Sequence, residues 1–218
     1  MALDGTVISC MAWELNHALV GGKINKIAQP EKDELMLTIK NNRKQYRLLV
    51  SASASLPLVY LTDQNKTGPM TAPNFCMLLR KHIGSARVSD IRQPGMERVV
   101  MFELEHLNEL GDPCKKVLIM ELMGKHSNII FCDDKGMILD SIKHVSSHMS
   151  SVREVLPGRE YFIPKTQDKL DPLTVSEEEF YDVVCRKPCN VSRAVYSSLT
   201  GISPVVRRRS VSGLDRRE

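Results

Sequence analysis

An acid–base pair in a turn is the first feature of this 218-residue sequence with chemical potential: Gln93-Pro94-Gly95-Met96-Glu97-Arg98 lies between two strand-like runs. Flanking strands hold a turn's backbone and so aim its side chains. Arg98 can donate a planar fork to a phosphate or a base edge, with Glu97 orienting it or accepting from an exocyclic amine. The alternative is a salt bridge at a strand start. A second feature, Glu121-Leu122-Met123-Gly124-Lys125-His126-Ser127-Asn128-Ile129-Ile130, joins two further strands. Gly124 permits a backbone conformation that a side chain would forbid, and Lys125, His126, Ser127 and Asn128 follow it as a polar run suited to a phosphodiester backbone. Ser127 and Asn128 can equally serve turn amides. A third is basic: Asn74, Arg80, Lys81, His82 and Arg87 lie on and after a helix, and Phe75 to Val100 holds five Arg or Lys against Asp90 and Glu97. That balance suits RNA contact, and a solvated helix face has it too.

Catalytic patterns are not expected. There is no Gly-x-Ser-x-Gly elbow, and no Ser or Cys is paired with a His by spacing. Gly124-Lys125 would need a glycine where Ile119 stands to form a phosphate-binding loop. His144 and His148 could share a helix face but lack a third metal ligand, and Cys185 and Cys189 read as two unrelated thiols. Neither a metal nor a cofactor is expected.

Composition narrows the class. Hydrophobic residues make up 42% and charged residues 26%, enough for one core and a second small module. Apolar runs reach five residues or fewer, which excludes a membrane-spanning helix. The start, Met1-Ala2-Leu3-Asp4-Gly5, does not read as a secretory leader, so a cytoplasmic location is expected. Net charge is +4, and the last 16 residues carry five arginines against Asp215 and Glu218, so the remainder is near neutral. The six cysteines read as reduced, mostly buried thiols.

The elements that must position these groups follow from period. Asp4 can cap a helix running to Leu19, with Gly21-Gly22 as its stop. Lys23 to Gln29, Glu34 to Lys40, Lys44 to Ser51 and Leu58 to Thr62 read as strands, the middle pair joined by an Asn41-Asn42 turn. Pro73 to Ile83 reads as a helix. Ala86 to Gln93, Arg98 to Leu104, Lys116 to Leu122, Asn128 to Cys132 and Met137 to Ile142 read as strands, with Glu105 to Cys114 as a hairpin loop. Pro157 to Pro172 reads as a linker or surface crossing. Ser176 and Glu179 stand in capping-box spacing, and Val191 to Leu199 is a second short helix ending at Gly201. The expectation is α+β for residues 1–165, a partial helical module for 170–206 and a disordered tail for 207–218.

These segments together resemble the N-terminal part of the NFACT family, which holds the bacterial RqcH proteins, also labelled fibronectin-binding protein A, and the eukaryotic NEMF group. The stretches that carry it are Leu3-Asp4-Gly5, Pro73 to His82, Gln93 to Arg98 and Glu121 to Ile130. Asp140-Ser141-Ile142-Lys143, Leu156 to Tyr161 and Leu199-Thr200-Gly201-Ile202-Ser203-Pro204 extend it, and the Glu121 string is the most specific. The resemblance implies a first domain like the N-terminal domain of formamidopyrimidine-DNA glycosylases, of antiparallel strands with two helices, then a helix-hairpin-helix-like module. It implies partners: a large ribosomal subunit still carrying peptidyl-tRNA, and tRNA, alanine-accepting in the bacterial group, for an untemplated alanine tail. Glu97, Arg98, Glu121 and Met123 are then the tRNA-contacting candidates, with Lys125, His126, Asn128, Arg80 and Lys81 beside them.

The sequence departs from the family at Glu97, where Asp is usual, and at Leu58, where an Arg is common after Pro57. Ala2-Leu3 stand where the glycosylases have a nucleophilic Pro and a catalytic Glu, so base excision is not expected. A fibronectin-binding adhesin and a residual glycosylase-like repair protein are the competing functions.

Overall fold

A computed structural model describes residues 3–107, 110–164 and 168–204. The chain divides into two compact units. A helical unit takes Met1–Cys10, Gln93–Arg98 and Lys165–Glu218, and a sheet unit takes Met11–Arg92 and Val99–Pro164. The expected tail from Arg207 onward lies outside the described residues.

The sheet unit is built on nine antiparallel strands: β1 (Lys23–Ala28), β2 (Glu34–Asn41), β3 (Lys44–Ser51), β4 (Leu58–Leu61), β5 (Arg87–Arg92), β6 (Val99–Leu107), β7 (Pro113–Glu121), β8 (Asn128–Asp133) and β9 (Ile138–Ser141). Their order, β4-β3-β2-β1-β5-β6-β7-β8-β9, is two meanders meeting where Lys23 of β1 pairs with Arg87 of β5. Short turns join neighbours within each meander, as antiparallel pairing allows. In β2, Leu35, Met36, Leu37 and Ile39 are all buried, so both faces of this strand are covered. One cluster sets Val99, Ile119, Ile130, Cys132, Ile138 and Val155 together, and another sets Ala28, Met36 and Leu49. Burying such a side chain contributes about 1.5–3 kcal/mol.

Helix α1 (Gly5–Leu19) buries Ile8, Ala12, Leu15 and Leu19, a stripe at helical spacing. The Asp4 carboxylate accepts from the Val7 amide at 3.0 Å and caps it. Helix α2 (Asn74–Ile83) packs against β1, β6 and β9 through Phe75, Cys76, Leu79 and Ile83. Pro73 precedes it, just outside the helix.

In the helical unit, Ser176 and Glu179 form the capping box of the four-residue α3 (Glu177–Phe180), which runs into a wider π-helical turn, Tyr181–Cys185. Helix α4 (Val191–Ser198) is capped by the Asn190 side chain. Val184, Ala194 and Leu199 make its small core.

Several expectations are corrected. The β2–β3 turn centres on Asn42 and Arg43, whose φ values are +46° and +66°. Asn41 pairs with Lys44, and its amide donates to the Ala18 and Val20 carbonyls. Strands β6 and β7 extend into the segment read as a loop, pairing Glu105 with Lys115 and His106 with Cys114, since polar residues suit a solvated strand face. His144 and His148 share no helix; His144 meets the Asp140 carboxylate at 2.6 Å in a turn segment. Only Cys76 and Cys132 are buried, while Cys10, Cys185 and Cys189 are exposed. The stretch read as a linker packs on the sheet unit as far as Pro164, with the Tyr161 amide donating to the Gly136 carbonyl.

Candidate nucleic-acid interface

In the sheet unit, the loop from Glu121 to Asn128 is pinned at both ends. Glu121 ends β7 with no exposed surface, and Arg153 and the Tyr161 hydroxyl donate to its carboxylate, Tyr161 at 3.0 Å. Arg153 also donates to the Phe162 carbonyl and stacks over the Tyr161 ring at 5.6 Å. Burial first, then the Glu121 charge, pushes the Tyr161 phenol far above its ordinary range. At the other end the Asn128 amide donates to the Lys143 carbonyl at 2.8 Å, and its oxygen accepts from the Ile129 and Lys143 amides. The Lys143 amine donates to the Ala52 and Ser127 carbonyls, and burial lowers its pKa.

Between these braces the chain makes one tight turn, Gly124–His126. Gly124 has φ +60°, which a side chain would strain, and the Ser127 hydroxyl accepts from the Met123 amide at 2.8 Å. The outcome sorts the candidates. Lys125 and His126 are exposed, and their side chains make no hydrogen bond or ion pair with a described residue. Met123 packs on the sheet cluster. Glu121 and Asn128 are buried and hydrogen-bonded at the two ends of the loop, where they position it. Ser127 and Asn128 do satisfy turn amides.

On α2, Arg80 is exposed but its Nε donates to the Ile27 carbonyl at 2.9 Å, while Lys81 is exposed without such a tie. Leu58 lines a shallow apolar cavity with Met11, Leu15 and Val59, so this position contributes packing.

In the helical unit, the turn before Arg98 is held by a close crossing of backbones. The Gly5 amide donates to the Gly201 carbonyl at 2.9 Å, and a Cβ on Gly5 would stand 2.7 Å from the Gly201 Cα. The Gln93 amide donates to the Gly5 and Glu97 carbonyls at 2.9 and 2.7 Å. Glu97 is half-buried; burial raises its carboxyl pKa, the Arg98 charge lowers it and Asp171 raises it again. Arg98 is exposed, and no ion pair joins it to Glu97 or to any other described residue.

Sequence reasoning missed Arg153 and gave no positioning role to Tyr161, Lys143 or Gln93, although these three lie in the quoted stretches. No spacing links Arg153, Tyr161 or Lys143 to the residues they hold. Among the described residues no three His, Cys, Asp or Glu side chains group to hold a metal.

One large antiparallel sheet with few helices, and exposed cations on braced turns, defines the class as a mixed α/β protein. A family model described as the NFACT N-terminal and middle domains matches residues 4–217, and the chain belongs to that family. It is 38% identical over 212 residues to the Rqc2 homolog RqcH of Bacillus subtilis, covering 97% of this chain and 37% of that protein. It is 24% identical over 140 residues to the human ribosome quality control complex subunit NEMF, covering 64% of this chain and 12% of that one. The chain thus spans about a third of the length of the bacterial relatives it matches. The solved N-terminal domain of fibronectin-binding protein PavA from Streptococcus pneumoniae superposes with a TM-score of 0.87 at 34% identity, covering 97% of this chain and 81% of that one. The N-terminal part of the fibronectin/fibrinogen-binding protein from Streptococcus suis gives 0.88 at 34% identity, covering 98% and 80%.

Proposed function

We propose that this chain is the tRNA- and ribosome-binding N-terminal part of a ribosome quality-control factor. In that reading the whole protein binds an obstructed large subunit with its peptidyl-tRNA and recruits tRNA for C-terminal alanine tailing. This part is non-catalytic and works in the cytoplasm, and its sheet unit keeps the groove of a glycosylase N-terminal domain without the chemistry. The helical unit plays the helix-hairpin-helix-like part. The relatives named for ribosome quality control support the role. The observation that carries the RNA reading is that Arg98, Lys125 and His126 are exposed, without a carboxylate partner among the described residues, on turns whose backbones are braced. Phosphate contacts of this kind position a nucleic acid without reading its sequence.

Near-neutral charge away from the tail implies modest affinity and a shallow salt slope. The test is binding of purified tRNA across a salt series, beside Arg98→Ala and a matched mRNA. Salt-sensitive tRNA binding that falls about tenfold in the variant, ~1.4 kcal/mol, supports the reading. Equal or absent binding in both proteins overturns it for this site. The solved neighbours named for fibronectin favour a second reading, an adhesin. Saturable binding to immobilised fibronectin with no tRNA binding would select it.

A further inference from the structure

Two lysines in the helical unit share one end of α4 without a carboxylate to answer them. The Lys169 amine donates to the Tyr196 carbonyl at 3.0 Å and lies 4.8 Å from the centre of the Tyr196 ring. The Lys187 amine donates to the hydroxyls of Ser197 and Ser198 at 3.1 and 2.7 Å. Those hydroxyls donate onward to the Ala194 and Val183 carbonyls, so their geometry is committed. Consecutive residues of one helical turn therefore hold both ammonium groups in place.

Neither lysine makes an ion pair among the described residues, although Asp168 and Asp171 are neighbours in sequence; Asp171 instead accepts the Leu173 amide. Arg186, on the same unit, differs: Asp182 answers it at 2.9 Å. Burial is the first cause that lowers the Lys169 pKa, and the charges of Lys187 and then Arg98 add to it. Lys169 and Lys187, held by consecutive residues of α4, thus lie close enough to oppose one another. Capping the open carbonyls of a helix end accounts for one lysine. It does not account for a second, placed on hydroxyls. Each ammonium has three N–H donors, and these bonds leave two on Lys169 and one on Lys187 for a ligand.

We infer that Lys169 and Lys187 form a phosphate-binding track that receives successive phosphates of an RNA backbone. An anion there relieves the mutual repulsion and takes up the unused N–H groups. This track rests on the proposed tRNA binding and adds two contact residues to it.

The test uses the whole chain and purified tRNA across a salt series. Lys169→Gln/Lys187→Gln is compared with Lys169→Arg/Lys187→Arg, Arg98→Ala and wild type, with thermal unfolding of each. An added series with inorganic phosphate as competitor separates a free-anion site from a polynucleotide track. The double Gln variant is expected to reduce the slope of log K against log salt by about 1 to 2, since each lost phosphate contact removes roughly 0.7–0.9. The Arg variant is expected to restore it. A double Gln variant that unfolds like wild type and keeps its slope, while Arg98→Ala lowers its own, overturns the track alone. Displacement of the tRNA by millimolar phosphate overturns the polynucleotide assignment. Absence of tRNA binding by wild type overturns the tRNA reading and the track with it.

Discussion

Arg153 brings one guanidinium nitrogen within 2.6 and 2.5 Å of the two carboxylate oxygens of Glu121, a residue with no exposed surface. The pair ties the end of β7 to a segment 32 residues further on. Removing one partner of a buried pair leaves an unanswered charge. Arg153→Met is therefore expected to destabilise the protein by about 3–5 kcal/mol in urea unfolding. Glu121→Leu/Arg153→Met together should recover much of that loss. A double variant as unstable as Arg153→Met alone would refute this account.

Glu97 yields a pH signature. Burial, its largest cause, raises the folded carboxyl pKa above the unfolded value of 4.5, so the native state binds the proton more tightly. The stabilising contribution is full below about pH 4.5 and is lost as pH rises through the folded pKa. Glu97→Gln cannot ionise. Its stability relative to wild type should rise with pH across that window, as read from unfolding curves at several pH values. A constant difference would contradict the shift.

Gly201→Ala should be poorly tolerated. The residue has φ +74°, and an added Cβ would stand 2.6 Å from the Met96 Cβ and closer still to its carbonyl. A loss of about 2 kcal/mol or more in denaturant unfolding is expected from the backbone conformation and the clash. A change under half of that would mean that the crossing relaxes at little cost.

Lys125→Ala/His126→Ala should leave thermal unfolding unchanged, because neither side chain holds any described residue. The same variant should weaken tRNA binding and flatten its salt slope by about 1. Asn128→Ala should lower both stability and binding, since it frees the Lys143 hub. Unaltered binding in the double variant would remove this loop from the interface.

Thiol reactivity should follow burial. Cys10, Cys185 and Cys189 are exposed and should react quickly with a disulfide reagent in the native state. Cys132 is buried among apolar side chains, and its pKa is pushed up to about 12, by desolvation first and by Asp133 and Glu121 next. It should react only on unfolding, as mass spectrometry of labelled peptides would show.

Most of the elements were legible in the sequence because period, caps and turn residues act within a few positions. The strand Lys44–Ser51 and the Ser176–Glu179 capping box are examples, found where the sequence puts them. The β2–β3 turn was off by one because Asn41 makes its bonds to carbonyls 21 and 23 residues away, which no local pattern reports. The strings Gln93 to Arg98 and Glu121 to Ile130, with the other matching stretches, also pointed to the family. The burial and partners of each residue within those strings were decided only by the tertiary structure. Whether a carboxylate touches a ligand or braces a loop depends on which distant segment desolvates it. For Glu121 that segment carries Arg153 and Tyr161; for Arg98 none of the described residues supplies a partner. Spacing along a chain encodes the face a side chain takes, whereas its solvation and charge partners are set by what folds against that face.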